Sequence, residues 1–190
     1  QTAWVRSGYA QRKISSLPEI ARSLGYQTLF AHGATNGSMN FDGYTHQIGY
    51  QTYLGRTEFN DDRYYNGSWG IDDEPFLQYF AKNINQMKQP FLATVFTLSS
   101  HGPYKVPEPH NKRFNKGDIL MHNVVEYSDY SIGRFFDTVK KEKWYPNTIF
   151  AIIPDHTTED YYDFYKQKIA HHRLPIILYS PNEKLIPQGS

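Results

Sequence analysis

The 190-residue chain contains no cysteine. That absence excludes disulfide stapling, Cys-ligated zinc and a thiol nucleophile, and it is compatible with an exported protein. Basic excess is also missing: 20 Lys and Arg stand against 19 Asp and Glu, for a formal net charge of +1. Such a balance gives no means of neutralising a phosphate backbone, so nucleic acid is not an expected partner, whereas a small anionic substrate is not excluded. No long hydrophobic run occurs either. The longest apolar stretch, Ile149 to Pro154, falls far short of the roughly 20 residues of a membrane span, and no basic segment followed by an apolar one opens the chain. The first methionine is Met39, so the sequence is expected to be part of a longer polypeptide, itself soluble.

What is present can fold. Leu, Ile, Val and Phe make up 43 of the 190 residues, above the roughly 20% below which chains fail to close a core. Ser16 is positioned to cap a helix that begins at Leu17, has Pro18 in its first turn, carries Leu17, Ile20, Ala21 and Leu24 at helical spacing, and stops at Gly25. The β-rich run Tyr26 to His32 follows. A short helix is expected within 38–49, a loop over 56–70, and a helix from Asp72 or Asp73 through Lys88 with Phe76, Leu77, Phe80, Ile84 and Met87 on one face. Then come a strand from Phe91 to Leu98, a long helix from Asp118 to about Trp144, a strand over Thr148 to Ile153, and a last strand within Leu174 to Tyr179. This alternation predicts an α/β fold, a mainly parallel sheet flanked by helices, as one domain without internal repeats.

Parallel α/β sheets bind ligands at the carboxyl ends of their strands. Three expected strands end in Ala31-His32, Ser99-Ser100-His101 and Pro154-Asp155-His156, so these histidines should face one crevice. Asp155 and His156 are the donor types that Zn²⁺ or Mn²⁺ takes, although a metal needs more ligands than two. His171 and His172 precede the last strand and could form a second site if their loop folds back. His46, His110 and His122 have no converging partner and are expected at the surface. Tyr64-Tyr65 and Tyr161 to Tyr165 are either packing aromatics or a stacking surface for sugars or lipid headgroups.

Read in order, Leu29-Phe-Ala-His-Gly33, Asn40-Phe-Asp42, Gly70-Ile-Asp-Asp-Glu-Pro-Phe76, Ser99-Ser-His-Gly-Pro-Tyr104, Tyr127-Ser-Asp-Tyr-Ser-Ile-Gly-Arg-Phe-Phe136 and Ile153-Pro-Asp-His156 resemble the lipoteichoic acid synthase-like phosphoglycerol transferases of the sulfatase branch of the alkaline phosphatase superfamily. The resemblance covers nearly all of residues 1–190 and implies the C-terminal portion of a catalytic domain. It implies metal ligation by Asp155 and His156, catalytic and headgroup-binding roles for His32 and His101, and substrate contact at Asn40. The family's attacking Thr and a further Glu ligand fall upstream of this segment, and neither Thr2 nor Ser7 matches the nucleophile's turn. The family's Trp and Arg after the His-Gly element fall on Met39 and Phe41, which removes a cationic substrate contact.

The function implied is a metal-dependent transfer or hydrolysis of phosphodiester headgroups such as glycerol phosphate, with Mn or Zn as cofactor. The substrate would be a phospholipid or a glycan-linked phosphate or sulfate ester. The implied place is the outer face of a bacterial cell membrane, with anchoring through an N-terminal region outside this segment, and the segment alone is expected to be inactive. Two other readings stand beside this one: a sulfatase of the same fold, and a non-catalytic carbohydrate-binding module using the tyrosine-rich loops.

Overall fold

The computed structural model describes residue 12, residues 14–157 and residues 161–186; Thr2 and Ser7 lie outside them. The chain divides into two compact units, Gln1–Thr138 and Val139–Ser190.

In the first unit helix α1 (Leu17–Ser23) begins as its sequence demands: extended Ser16 accepts the Glu19 N–H on its hydroxyl, and Pro18 sits in the first turn. Gly25 ends it at φ +84°, a conformation that costs glycine least. Strand β1 (Gln27–His32) follows. Helix α2 (Phe41–Gln47) leads to the three-residue strand β2 (Thr52–Leu54), and α3 (Arg56–Phe59) lies inside the stretch expected to be a loop. Helix α4 (Asp73–Ile84) stops short of Lys88, and strand β3 (Phe91–Phe96) comes next. Helix α5 (Leu120–Val139) is shorter at both ends than its sequence pattern suggests.

The sheet order is β2-β1-β3, and both pairings are parallel, with Phe30 opposite Tyr53 on one side and Thr94 on the other. Leu29, Phe30 and Ala31 of β1 are buried, as are Phe76, Leu77, Phe80, Ala81 and Ile84 of α4. Burial of each leucine, isoleucine or phenylalanine among them contributes about 1.5–3 kcal/mol. Phe80 stacks on Phe135 of α5 at 5.9 Å. A second cluster joins Val106, Phe114, Val124 and Tyr127.

The helix expected from Leu17 is present, with Leu17, Ile20 and Leu24 exposed and Pro18 and Ala21 buried. Other expectations are corrected. His110 is not a simple surface residue, since its ring packs 5.3 Å from both Tyr127 and Tyr130. The strand expected over Thr148–Ile153 in the mainly parallel sheet is instead β4 (Phe150–Ile152) of the second unit, where it pairs antiparallel with β5 (Ile177–Tyr179). Pairing follows which strand edges meet, and a run of β-formers states only that a strand will form. Buried Trp144 packs near Phe150 in this unit, and the Tyr145 and Tyr179 hydroxyls lie 3.2 Å apart. Much of the ladder stays exposed, including Ile177, Leu178 and Tyr179. No helix among the described residues is long and apolar enough to cross a membrane.

Candidate active site at the carboxyl ends of β1 and β3

His32 is the last residue of β1 and only 2% exposed. It stands opposite Phe96 in the parallel ladder, and its Nδ1 lies 3.1 Å from the Phe96 carbonyl oxygen. A carbonyl can only accept, so Nδ1 carries the hydrogen and donates. The ring is held between Phe41, 4.7 Å away, and Phe96, 5.0 Å away. Burial among these rings lowers the imidazole below its ordinary 6.5, opposed by the hydrogen bond to Phe96. The neutral tautomer that results presents a lone pair at Nε2, an atom that is buried and has no hydrogen-bond partner among the described residues. A buried nitrogen left without a partner is costly unless a ligand or a proton meets it.

The turn after β3 is clamped from below. Buried Asp73, at the start of α4, accepts the Leu98 and Ser99 N–H groups on Oδ1 at 2.9 and 3.1 Å. Its Oδ2 accepts the Ser128 hydroxyl at 3.0 Å, and its own N–H donates to Ser99 Oγ at 2.9 Å. Burial pushes the Asp73 carboxyl up, and these donors oppose the shift. Above the clamp His101 is exposed, with its Nδ1 3.1 Å from the Gly102 carbonyl. That carbonyl also accepts the Trp69 indole N–H, and the Trp69 ring lies 4.0 Å from the His101 ring.

Trp69 falls in the 56–70 stretch that reads as loop, and its one local signal is a tryptophan set between Ser68 and Gly70. It matters because its neighbours connect the two strand ends. Ile71 N–H donates to the Gly33 carbonyl at 2.9 Å, and Ala34 and Gly70 form a β-bridge. The approach is so close that a Cβ on Gly70 would sit 2.3 Å from the Gly33 oxygen. The His32-Gly33 turn and the Ser99-to-His101 turn are therefore tied through 69–71 within one unit. Asn40 is exposed at φ 60° beside Phe41.

Asp155 and His156 follow β4 in the second unit. His156 Nδ1 lies 2.6 Å from the Thr157 carbonyl and so carries a hydrogen. Its Nε2 faces Asp155 Oδ2 at 3.4 Å, and both side chains are more than half exposed. Two ligands bound tetrahedrally at about 2.1 Å from one ion stand about 3.4 Å apart, so this nitrogen and oxygen fit as neighbours on a single zinc-like cation. Among the described residues no three His, Asp or Glu side chains gather into a metal cluster. His172 is exposed in the short 3₁₀ turn Ala170–His172, the turn that also contains His171.

A protein-family model described as Sulfatase matches residues 2–186. Lipoteichoic acid synthase 1 of Bacillus subtilis (strain 168) is 26% identical to the chain over 203 residues, covering 96% of this chain and 31% of that protein. Phosphoglycerol transferase I of Citrobacter koseri is 25% identical over 150 residues, 74% of this chain and 20% of that protein. Among solved structures, a protein of the alkaline phosphatase superfamily from Vibrio parahaemolyticus superimposes with a TM-score of 0.77 at 26% identity, covering 95% of this chain and 44% of that one. The chain thus spans about a third or less of the length of these curated relatives.

Proposed function

The chain belongs to the sulfatase family, and from that premise we propose that it contributes to an extracytoplasmic enzyme that transfers phosphoglycerol-type headgroups from a phosphodiester lipid. In the reaction a hydroxyl oxygen outside the residues described attacks phosphorus and gives up its proton, the bond between phosphorus and the lipid oxygen breaks, and the lipid leaves as an alcohol after that oxygen gains a proton. The relatives named as a lipoteichoic acid synthase and a phosphoglycerol transferase support this choice over sulfate ester hydrolysis.

The observation that carries the proposal is the buried Nε2 of His32 at the carboxyl end of the sheet, which has no hydrogen-bond partner among the described residues and adjoins Gly33, the start of the link to Trp69 and His101. His32 and His101 would contact the transferring group, and Asn40 the substrate beyond it. A neutral His32 accepts a proton at Nε2, or donates there only after gaining one. Asp155 and His156 would hold a divalent cation, Mn²⁺ or Zn²⁺, which polarises the nucleophile and offsets charge that develops on the peripheral oxygens. Phe41 packs over His32 and offers no charge to the headgroup, so within the first unit recognition of the anion would fall to His101.

The test uses the full-length protein with a fluorescent phosphatidylglycerol, a nitrophenyl phosphodiester and a nitrophenyl sulfate, each with added Mn²⁺ or Zn²⁺. Asp155→Ala and His156→Ala should abolish phosphodiester turnover, and His32→Ala should lower it by on the order of 10²–10³. Near-normal turnover in Asp155→Ala would overturn the metal assignment. Turnover of the sulfate ester alone would replace the transferase reading with a sulfatase.

A further inference from the structure

A cavity of about 300 Å³ opens on the first unit, bounded by the loop at 63–66, the start of α4 and the segment 105–110. It lies beside the candidate active site in the chain. Lys105 is four residues beyond His101, and Asp72 adjoins the Asp73 that clamps the turn after β3.

Two of the charged residues around the cavity are already engaged. Arg63 is paired with Asp61 at 2.8 Å, and Glu108 accepts the Asn111 amide at 2.9 Å. Asp72 differs: it occupies the N-cap position of α4, yet its side chain makes no capping hydrogen bond, and it is half-buried. Asn66 uses its carbonyl oxygen to accept the N–H groups of Ser68, Trp69 and Gly70, which leaves its amide group to donate. The polar groups on offer include acceptors at Asp72 and Glu74 and donors at Lys105 and Asn66. The exposed Tyr64 ring and the ring of Pro107 complete the wall.

Ligand classes separate on this lining. An anion would meet Asp72 and Glu74, a cation would meet Lys105, and an apolar ligand would bury Asp72 without a partner. Hydroxyl groups both donate and accept, and the C–H faces of a sugar lie well against tyrosine and proline rings. The volume is at the lower limit of small-molecule sites, enough for one ring. We propose that this cavity binds a single polyhydroxylated unit, a sugar ring or short alditol, with Asp72 accepting from its hydroxyls and Lys105 and Asn66 donating to them. Binding itself is independent of the phosphoryl-transfer reading; that a bound sugar would serve as acceptor rests on that reading.

The experiment titrates the protein with methyl α-glucoside and with glycerol, using inorganic phosphate and tetramethylammonium as charged comparators. Two readouts are taken: amide NMR shifts at 64–66, 72–74 and 105–107, and the rate at which an amine-reactive reagent modifies Lys105. Saturable shifts with an affinity on the order of 1 mM, usual for a ligand of this size, and slower Lys105 modification are expected with the sugar. Asp72→Asn and Lys105→Ala should each weaken binding at least about fivefold, and the surface change Lys105→Ala leaves the packed residues intact. His101→Ala should bind the sugar normally, even where it abolishes turnover in the full-length protein. The proposal is overturned if neither polyol perturbs these positions, if both variants bind as well as the parent, or if phosphate or tetramethylammonium produces the same shifts.

Discussion

Asp72 offers a quantitative test of the electrostatics beside the candidate site. Burial and the neighbouring charge of Asp73 push its carboxyl up from 3.8 to about 7, with Lys105 opposing. A shift of about 3 units corresponds to about 4 kcal/mol between the two protonation states. Because the side chain is only half-buried, solvent screening brings the expected effect on stability to about 2 kcal/mol. A folded-state value above the unfolded one means that the native protein holds the proton more tightly. The associated stabilisation is therefore complete below about pH 4 and disappears as the pH rises through 7. Asp72→Asn removes the titration while keeping the shape. At pH 8 it should stabilise the protein by about 2 kcal/mol, or roughly 4–8 °C in Tm for a chain of this length; at pH 4 it should change little. Urea denaturation followed by tryptophan fluorescence at both pH values measures the difference, and carboxyl ¹³C NMR reports the titration directly. An equal effect of Asp72→Asn at both pH values, or an Asp72 midpoint near 3.8, would refute the reasoning.

Glycine replacements should act in opposite directions. Gly70→Ala drives a Cβ into the Gly33 backbone and should cost about 3 kcal/mol in urea denaturation, whereas Gly133→Ala, with nothing within 4 Å on an exposed face of α5, should gain about 0.5–1 kcal/mol. Asp73→Ala strands the Leu98 and Ser99 N–H groups and should destabilise by about 2–4 kcal/mol, with Asp73→Asn recovering much of the loss because one oxygen still accepts both. The lowered His32 value means that stability present above pH 6.5 is lost as the pH falls through the folded value; His32→Asn, whose amide can still donate to Phe96, should remove that component from a pH series of denaturation curves.

Where the sequence speaks plainly, it does so through strong local signals. Ser16, Pro18 and Gly25 bracket α1 because each acts on its own backbone, and Phe76, Leu77, Phe80 and Ile84 mark the buried side of α4 because 3.6-residue spacing survives in one dimension. The strand ends at His32 and at the Ser99–His101 turn were legible for the same reason. Thr52-Tyr53-Leu54 was not, since three residues give no period and β2 exists through its ladder to β1. The spacing of Leu17, Ile20 and Leu24 reports that α1 is a helix but not which face is covered: only Ala21 and Pro18 are buried within the described residues. The most consequential omission, Trp69 against His101, depends on the Gly70 contact with Gly33, 37 positions earlier in the numbering, and no local pattern reports such a contact.

The parallel pairing of His32 with Phe96 has a chemical meaning. One strand orients the imidazole of the other, because the group that fixes its tautomer is a main-chain carbonyl of the adjacent strand. A slip of β3 by one residue would reverse which side chains face which side and would present a different carbonyl, or none, to Nδ1. Side-chain substitution at Phe96 leaves that carbonyl in place, so the proton on His32 is governed by strand alignment more than by the identity of its partner residue. Correct register in this sheet is in that sense a protonation state written into the backbone.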